Sequence, residues 1–442
     1  MIRLLSAAIA VLLLGISTLS LSPNAPTPPD PGISLVGKGE VNGSLLDKTG
    51  LAGNICQDGA PANCVPKAIF GGFGSDLAYT GHDNVYIAAP DRGPFDGLTD
   101  TPYIDRFHFL HITTELGAPF PNIRTTLLDS RLLKNEFGQA FVGATSAFGA
   151  NDVETLRLDP EGIRVSPAGT FYISDEYGPY VFEFDRQGHL QRRIELASKY
   201  SIASPNKDAN LELLNNSAGR QANRGMEGLA VSPDGTTLFG MMQNALIQDH
   251  GLVPGTTDRL GLNNRIVKID LLTGETSEYV YVLEAINRGQ GTCEILAIND
   301  HQFLVLERDN RSNLQTPPQA PTRKKIYKID LTGATDVANV ASLPAGPLPA
   351  EIVPVAKTLF IDLLDPVFNL ALTIPEKLEG LSFGPDLPDG RHLLYVISDN
   401  DLNPSLATQI YAFAIDPGLL DYEPQELPGP LFPPGQVKKL LK

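Results

Sequence analysis

A short unit recurs along this chain and restricts its fold more than any other feature. Each copy opens on a carboxylate: Asp76 in GSDLAY, Glu161 in DPEGIRV, Glu227 in RGMEGLAV, Glu294 in TCEILAI and Glu379 in KLEGLSF. An apolar run follows, usually a turn such as SPAGT or SPDGT, and then a second apolar run: NVYIAAP, TFYISDE, TLFGMMQ, QFLVLER and HLLYVIS. Third runs often end in an acidic turn, as in YVFEFDRQG and KIYKIDLTG, and fourth runs such as LQRRIELA and EYVYVLEA come after. Period-2 alternation with β-branched and aromatic residues marks these runs as strands. The 41 glycines and 36 prolines suit many short strands joined by tight turns.

A repeat of about four strands is the signature of a propeller blade. The chain is therefore expected to be all-β, a β-propeller of five four-stranded blades, with room for a sixth in one of the longer units. The last unit has three clear strands before a Pro-rich tail, EPQELPGPLFPPG. The early run ISLVGKGEV is expected to supply its outer strand and close the ring.

The N-terminus, MIRLLSAAIAVLLLGISTLSLS, places Arg3 before an apolar run from Leu4 to Leu14. That run is short for a bilayer and has the pattern of a secretory signal. The organisation read from the chain is a signal peptide over 1–22, a Pro-rich linker over 23–32 and a single propeller domain over 33–442. A secreted or periplasmic monomer with no membrane span after cleavage is expected. Export predicts a disulfide between Cys56 and Cys64, which enclose CQDGAPANC. Cys293 reads as a buried free thiol. The net charge of -17 argues against a nucleic-acid partner and favours cations, or a small anionic or ester substrate held through them.

In a propeller the first strand of each blade lines the central channel, so the opening carboxylates gather at one mouth. Gly162, Gly228 and Gly380 follow three of them and let the backbones crowd near the axis. A ring of Asp76, Glu161, Glu227, Glu294 and Glu379 needs cations, arginines or raised pKa values. Second strands return to the same face carrying Asp91-Arg92, Asp175-Glu176, Gln243-Asn244, Glu307-Arg308-Asp309 and Asp399-Asn400-Asp401. Clusters of oxygen ligands suit calcium better than zinc. The expected metal ligands are Asp76, Glu161, Glu227, Glu294, Glu379, Asp309 and Asp399. Glu161, Glu227 and Asp175 are the expected catalytic groups. Arg92, Arg224 and Arg308 are expected to hold substrate oxygens as forks. A G-x-S-x-G elbow is absent. His108 and His111, in RFHFLHI, read as packing or surface residues.

The units NRGMEGLAVSPDGTTLFGMMQNAL, DPEGIRVSPAGTFYISDEYGPYVFEFDRQG, LVLERDNR and KLEGLSFGPD resemble the phytase-like family, described as "esterase-like activity of phytase". The resemblance runs from about Lys67 to Pro417. It implies an exported propeller related to calcium-dependent alkaline phytases, in which calcium at the channel mouth binds phosphate and activates water. Similar Glu-Gly and strand-end aspartate signatures occur in gluconolactonase-type lactonases. The expected function is a calcium-dependent hydrolase of a phosphoester or carboxylic ester. The alternatives are a lactonase on the same metal site and a non-catalytic, calcium-stabilised binding or scaffold propeller.

Overall fold

The computed structural model describes residues 32–145, 156–433 and 435–441. The expected signal segment, and all of the linker before Gly32, lie outside them.

Apolar alternation and tight turns produce five four-stranded antiparallel sheets arranged as a β-propeller. Blade 1 is Asp76–Tyr79, Val85–Ala89, Arg106–Thr114 and Ile123–Leu132. Blade 2 is Pro160–Val165, Phe171–Asp175, Tyr180–Phe184 and Leu190–Glu195. Blade 3 is Met226–Val231, Thr237–Met242, Asn263–Asp270 and Thr276–Val282. Blade 4 is Gly291–Ala297, Gln302–Arg308, Lys324–Asp330 and Ala356–Asp362. Blade 5 joins Leu378–Phe383, His392–Ser398 and Thr408–Ile415 to an outer strand from the start of the domain, Ile33–Val41. Pairing of Ile33 with Ile415 and Val41 with Thr408 closes the ring, as ISLVGKGEV led one to expect. The longer units hold loops, and five blades is the count.

Blades are joined by apolar layers. Ala230, Phe239 and Met241 of blade 3 share a cluster with Ile295, Phe303 and Val305 of blade 4. Phe107 and Phe109 of blade 1 share another with Phe171 and Phe184 of blade 2. Each such buried Phe, Met, Ile or Val side chain contributes roughly 1.5–3 kcal/mol of transfer free energy.

Inner strands carry a bulge at their mouth end in blades 2 to 5. In blade 3, Met226 faces Met242 and Gly228 faces Met241, so Glu227 is the extra residue. Such a bulge re-aims a side chain and ends pairing. Just past it, glycine is required by close approach: a Cβ on Gly162 would meet Leu229 N at 2.6 Å, and one on Gly228 would meet Ile295 N at 2.7 Å.

The far end of the channel is covered. After blade 5 the chain crosses the turns between first and second strands. Glu423 N donates to Ile298 O (2.8 Å), Glu426 N to Pro233 O (2.6 Å), and the His82 ring bonds Pro428 O (3.0 Å). Phe432 then packs edge-on against Phe109 with centroids 5.1 Å apart. The uncovered end of the channel is therefore the other one, where the inner strands begin.

Candidate active site at the channel mouth

Strand register sets two levels of five positions around the mouth. Glu161, Glu227, Cys293 and Glu379 stand on the inner strands, with Ser75 at the same count in blade 1. Asp91, Glu176, Gln243, Arg308 and Asp399 stand at the second-strand ends. A cavity of about 50 Å³ lies among them. Glu161, Glu227, Glu379, Arg92, Arg224 and Arg308 all line it, so six of the residues singled out from the sequence meet here.

Asp76 and Glu294 do not join this ring. They match Gly380 and Gly228, one residue deeper than the bulge. There they accept backbone N–H groups from the neighbouring inner strands, Ile163 N to Asp76 and Leu229 N to Glu294. Arg164 pairs with both, closing the channel below the mouth. In blade 4 the ring position belongs to Cys293, whose thiol is pushed up to about 12 by burial. It is buried and free of a disulfide, the state its sequence context suggested.

Asp175 and Asp309 are turned to local work. Asp175 accepts from Asp159 N (3.0 Å), Tyr177 N (3.0 Å) and Gly178 N (3.1 Å). Asp309 accepts from the Thr322 N–H and hydroxyl, both at 2.8 Å, and lies 3.4 Å from the Lys324 ammonium. Neither lines the mouth. Asp175 caps its own turn in the manner usual for a short aspartate, whereas Asp309 ties down the chain thirteen residues further on. Asp399 stays beside the mouth, grouped with Asp91 and Asp401 and 3.8 Å from Lys377.

The most informative group is Asp159, Glu161 and Glu176, whose oxygens lie within 4.8 Å of one another. Arg92 serves two of them, reaching Asp159 at 2.8 Å and Glu176 at 3.2 Å. Glu161 has no ion-pair partner among the described residues. Its carboxyl is raised well above the usual range by burial and then by Glu227, Asp159 and Glu176. Asp159 is raised by burial to about 6, with Arg92 opposing the shift. The other carboxylates of the ring are answered from within. Arg308 pairs with Glu379, and Gln243 bridges Arg224 to Glu227.

This contrast tests the fit to calcium. Glu227, Cys293 and Glu379 are grouped, but a protonated thiol is not a calcium ligand, and Arg308 and the Gln243–Arg224 link answer both carboxylates. Asp159, Glu161 and Glu176 offer only oxygens and hold one uncompensated carboxylate. They fit. Asp159 and Lys377, two residues before Glu161 and Glu379, were missed from the sequence. A charge two residues before the glutamate in two of the three Glu-Gly units was the available signal.

Beside the disulfide joining Cys56 and Cys64, a hairpin of Asn54–Gln57 and Ala60–Pro66 flanks the mouth. His108 is buried, as expected of a packing residue, with Nδ1 2.9 Å from Ser130 Oγ.

Residues 68–402, more than half of the chain, match the phytase-like family described as "Esterase-like activity of phytase", and the chain belongs to that family. It is similar to an uncharacterized secreted protein of Arthroderma benhamiae, 28% identical over 57% of this chain and 62% of the relative. The matched region thus spans less than two thirds of that relative. Among solved structures it is similar to a luciferin-regenerating enzyme (10% identity, 85% of this chain and 99% of that one, TM-score 0.34). It is also similar to regucalcin, a calcium-binding protein from Agrobacterium tumefaciens (12%, 80% and 92%, TM-score 0.33). That relative is described as secreted, and in this chain no helix among the described residues is long and apolar enough to cross a membrane.

Proposed function

We propose that the protein is a calcium-dependent hydrolase acting on a phosphoester or carboxylic ester at the channel mouth. One observation carries this reading: Glu161, buried among Asp159, Glu176 and Glu227, has no cation of its own among the described residues. Calcium held by Asp159, Glu161 and Glu176 would supply charge neutralisation and acidify a bound water. Glu227 stands across the same cavity and is raised well above the carboxylate range by burial and by Glu176 and Glu379. A carboxyl that holds its proton more tightly than usual suits a general acid. Arg308 and Arg224, held by Glu379 and Gln243, are fixed donors at the rim. Asp175 serves in this reading by holding the Asp159 backbone rather than by touching substrate.

Family membership supports ester chemistry, since the family's description names an esterase-like activity. The test is release of phosphate or acid from a panel of phosphomonoesters, carboxylic esters and lactones, with calcium and with chelator. Turnover that needs calcium and is lost in Glu161→Gln is expected. Absence of calcium-dependent turnover across the panel overturns the reading and leaves the propeller as a binding module.

A further inference from the structure

We infer that the channel holds a second ligand site at its far end, a chamber between Arg164 and the strap that takes a small uncharged molecule with an apolar body and one oxygen acceptor. The strap is the segment 422–428 that crosses the far turns. The chamber has about 200 Å³. An apolar cavity of about 150 Å³ is enough to hold benzene. Arg164 separates this space from the mouth, so the two sites are distinct.

The inner strands change character along the channel axis. Beyond Asp76 in blade 1 and Glu294 in blade 4 they carry no further carboxylate. Leu77, Val231, Leu296, Ala297 and Phe383 follow, and all line the chamber. The strap supplies the floor. Its Tyr422 ring stacks at 4.4 Å from Phe383, its Gln425 side chain donates to the Val165 carbonyl, and its Leu427 completes the apolar wall. An acidic mouth and an apolar chamber thus share one channel, with a guanidinium between them.

Charge decides the class of ligand. Arg164 is the one basic residue on the wall among the described residues, and Asp76 and Glu294 already answer it. At the rim, Asp386 accepts from His392 Nδ1 at 2.8 Å if that nitrogen is protonated, and Glu423 is exposed. An anion therefore meets acids and no unanswered cation. A cation would lose its hydration against apolar walls. Water is a poor filling too, since it needs about two to four polar partners. The Ser382 hydroxyl is spent, donating to Phe383 O (2.9 Å) and accepting Tyr79 N (3.1 Å). What is left is Arg164 Nε, on a side chain 3% exposed, which has no hydrogen-bond partner. One N–H at the roof of an apolar space matches one neutral oxygen.

The probes are benzyl alcohol and benzoate, one skeleton in an uncharged and an anionic form. Ligand-detected NMR titration of each into the full chain, with chelator present, reads binding without calcium or turnover. Benzyl alcohol is expected to bind saturably, and benzoate at least about tenfold more weakly. Ala297→Phe, which fills the chamber from blade 4, should weaken benzyl alcohol at least about tenfold. Leu427→Ala alters the strap alone and should also weaken it, which keeps the test decisive if the filled inner strand does not fold. Benzyl alcohol that fails to saturate wild type, that binds both variants as it binds wild type, or that binds no better than benzoate overturns the inference.

Discussion

Arg164 Nη2 of blade 2 lies 3.0 Å from Glu294 Oε2 of blade 4, a pair that spans the channel beneath the mouth. The same guanidinium bonds Asp76 of blade 1 and the Ile295 carbonyl. Three blades are thereby tied at one buried point. Removing the cation strands two buried carboxylates, which typically costs about 3–5 kcal/mol. Arg164→Met is expected to lower the unfolding free energy by that amount in urea. The triple change Arg164→Met, Asp76→Asn and Glu294→Gln should regain much of it. An Arg164→Met protein as stable as wild type would show that the tie is energetically idle.

The strap over the far end makes a second prediction. Phe432 is 6% exposed and fills space beside Phe109. Phe432→Ala is expected to cost about 3 kcal/mol, the range for deleting a buried ring. Thermal unfolding checks this. If the melting temperature does not move, the tail is a loose cover and not part of the first blade's core.

Acid stability should register His108. Burial lowers its imidazole from 6.5 to about 3, with Asp47 opposing and Arg106 assisting. A depressed folded-state pKa means the ring's contribution is present above pH 6.5 and is lost as pH falls from 6.5 toward 3. The slope is at most about 1.4 kcal/mol per pH unit. His108→Gln should therefore lose less stability than wild type over that window, measured by denaturant unfolding at successive pH values. Parallel curves would refute the assignment.

The fold was legible because each blade repeats the same alternation, and Glu161, Glu227 and Glu379 were legible through their Glu-Gly pairs. In blades 1 and 4 the acid stands one position further along the inner strand than its letter match suggests. Glu294 lies level with Gly228 rather than Glu227, and Cys293 takes the ring place. Asp76 repeats this offset. Asp175 reads as catalytic and Asp309 as a ligand in sequence, but N–H groups of Tyr177 and Gly178, and of Thr322 and Arg323, claim their oxygens. The strap's role depends on which turns it crosses, and its proline-rich composition says nothing of that.

The central claim is that Glu161 completes a cation site at the mouth. Calorimetric titration of calcium into metal-stripped wild type and Glu161→Gln tests it directly. The account predicts binding by wild type and at least about tenfold weaker binding by the variant, as expected for loss of a charged ligand. Equal calcium binding by the two proteins, or none by wild type, would contradict it.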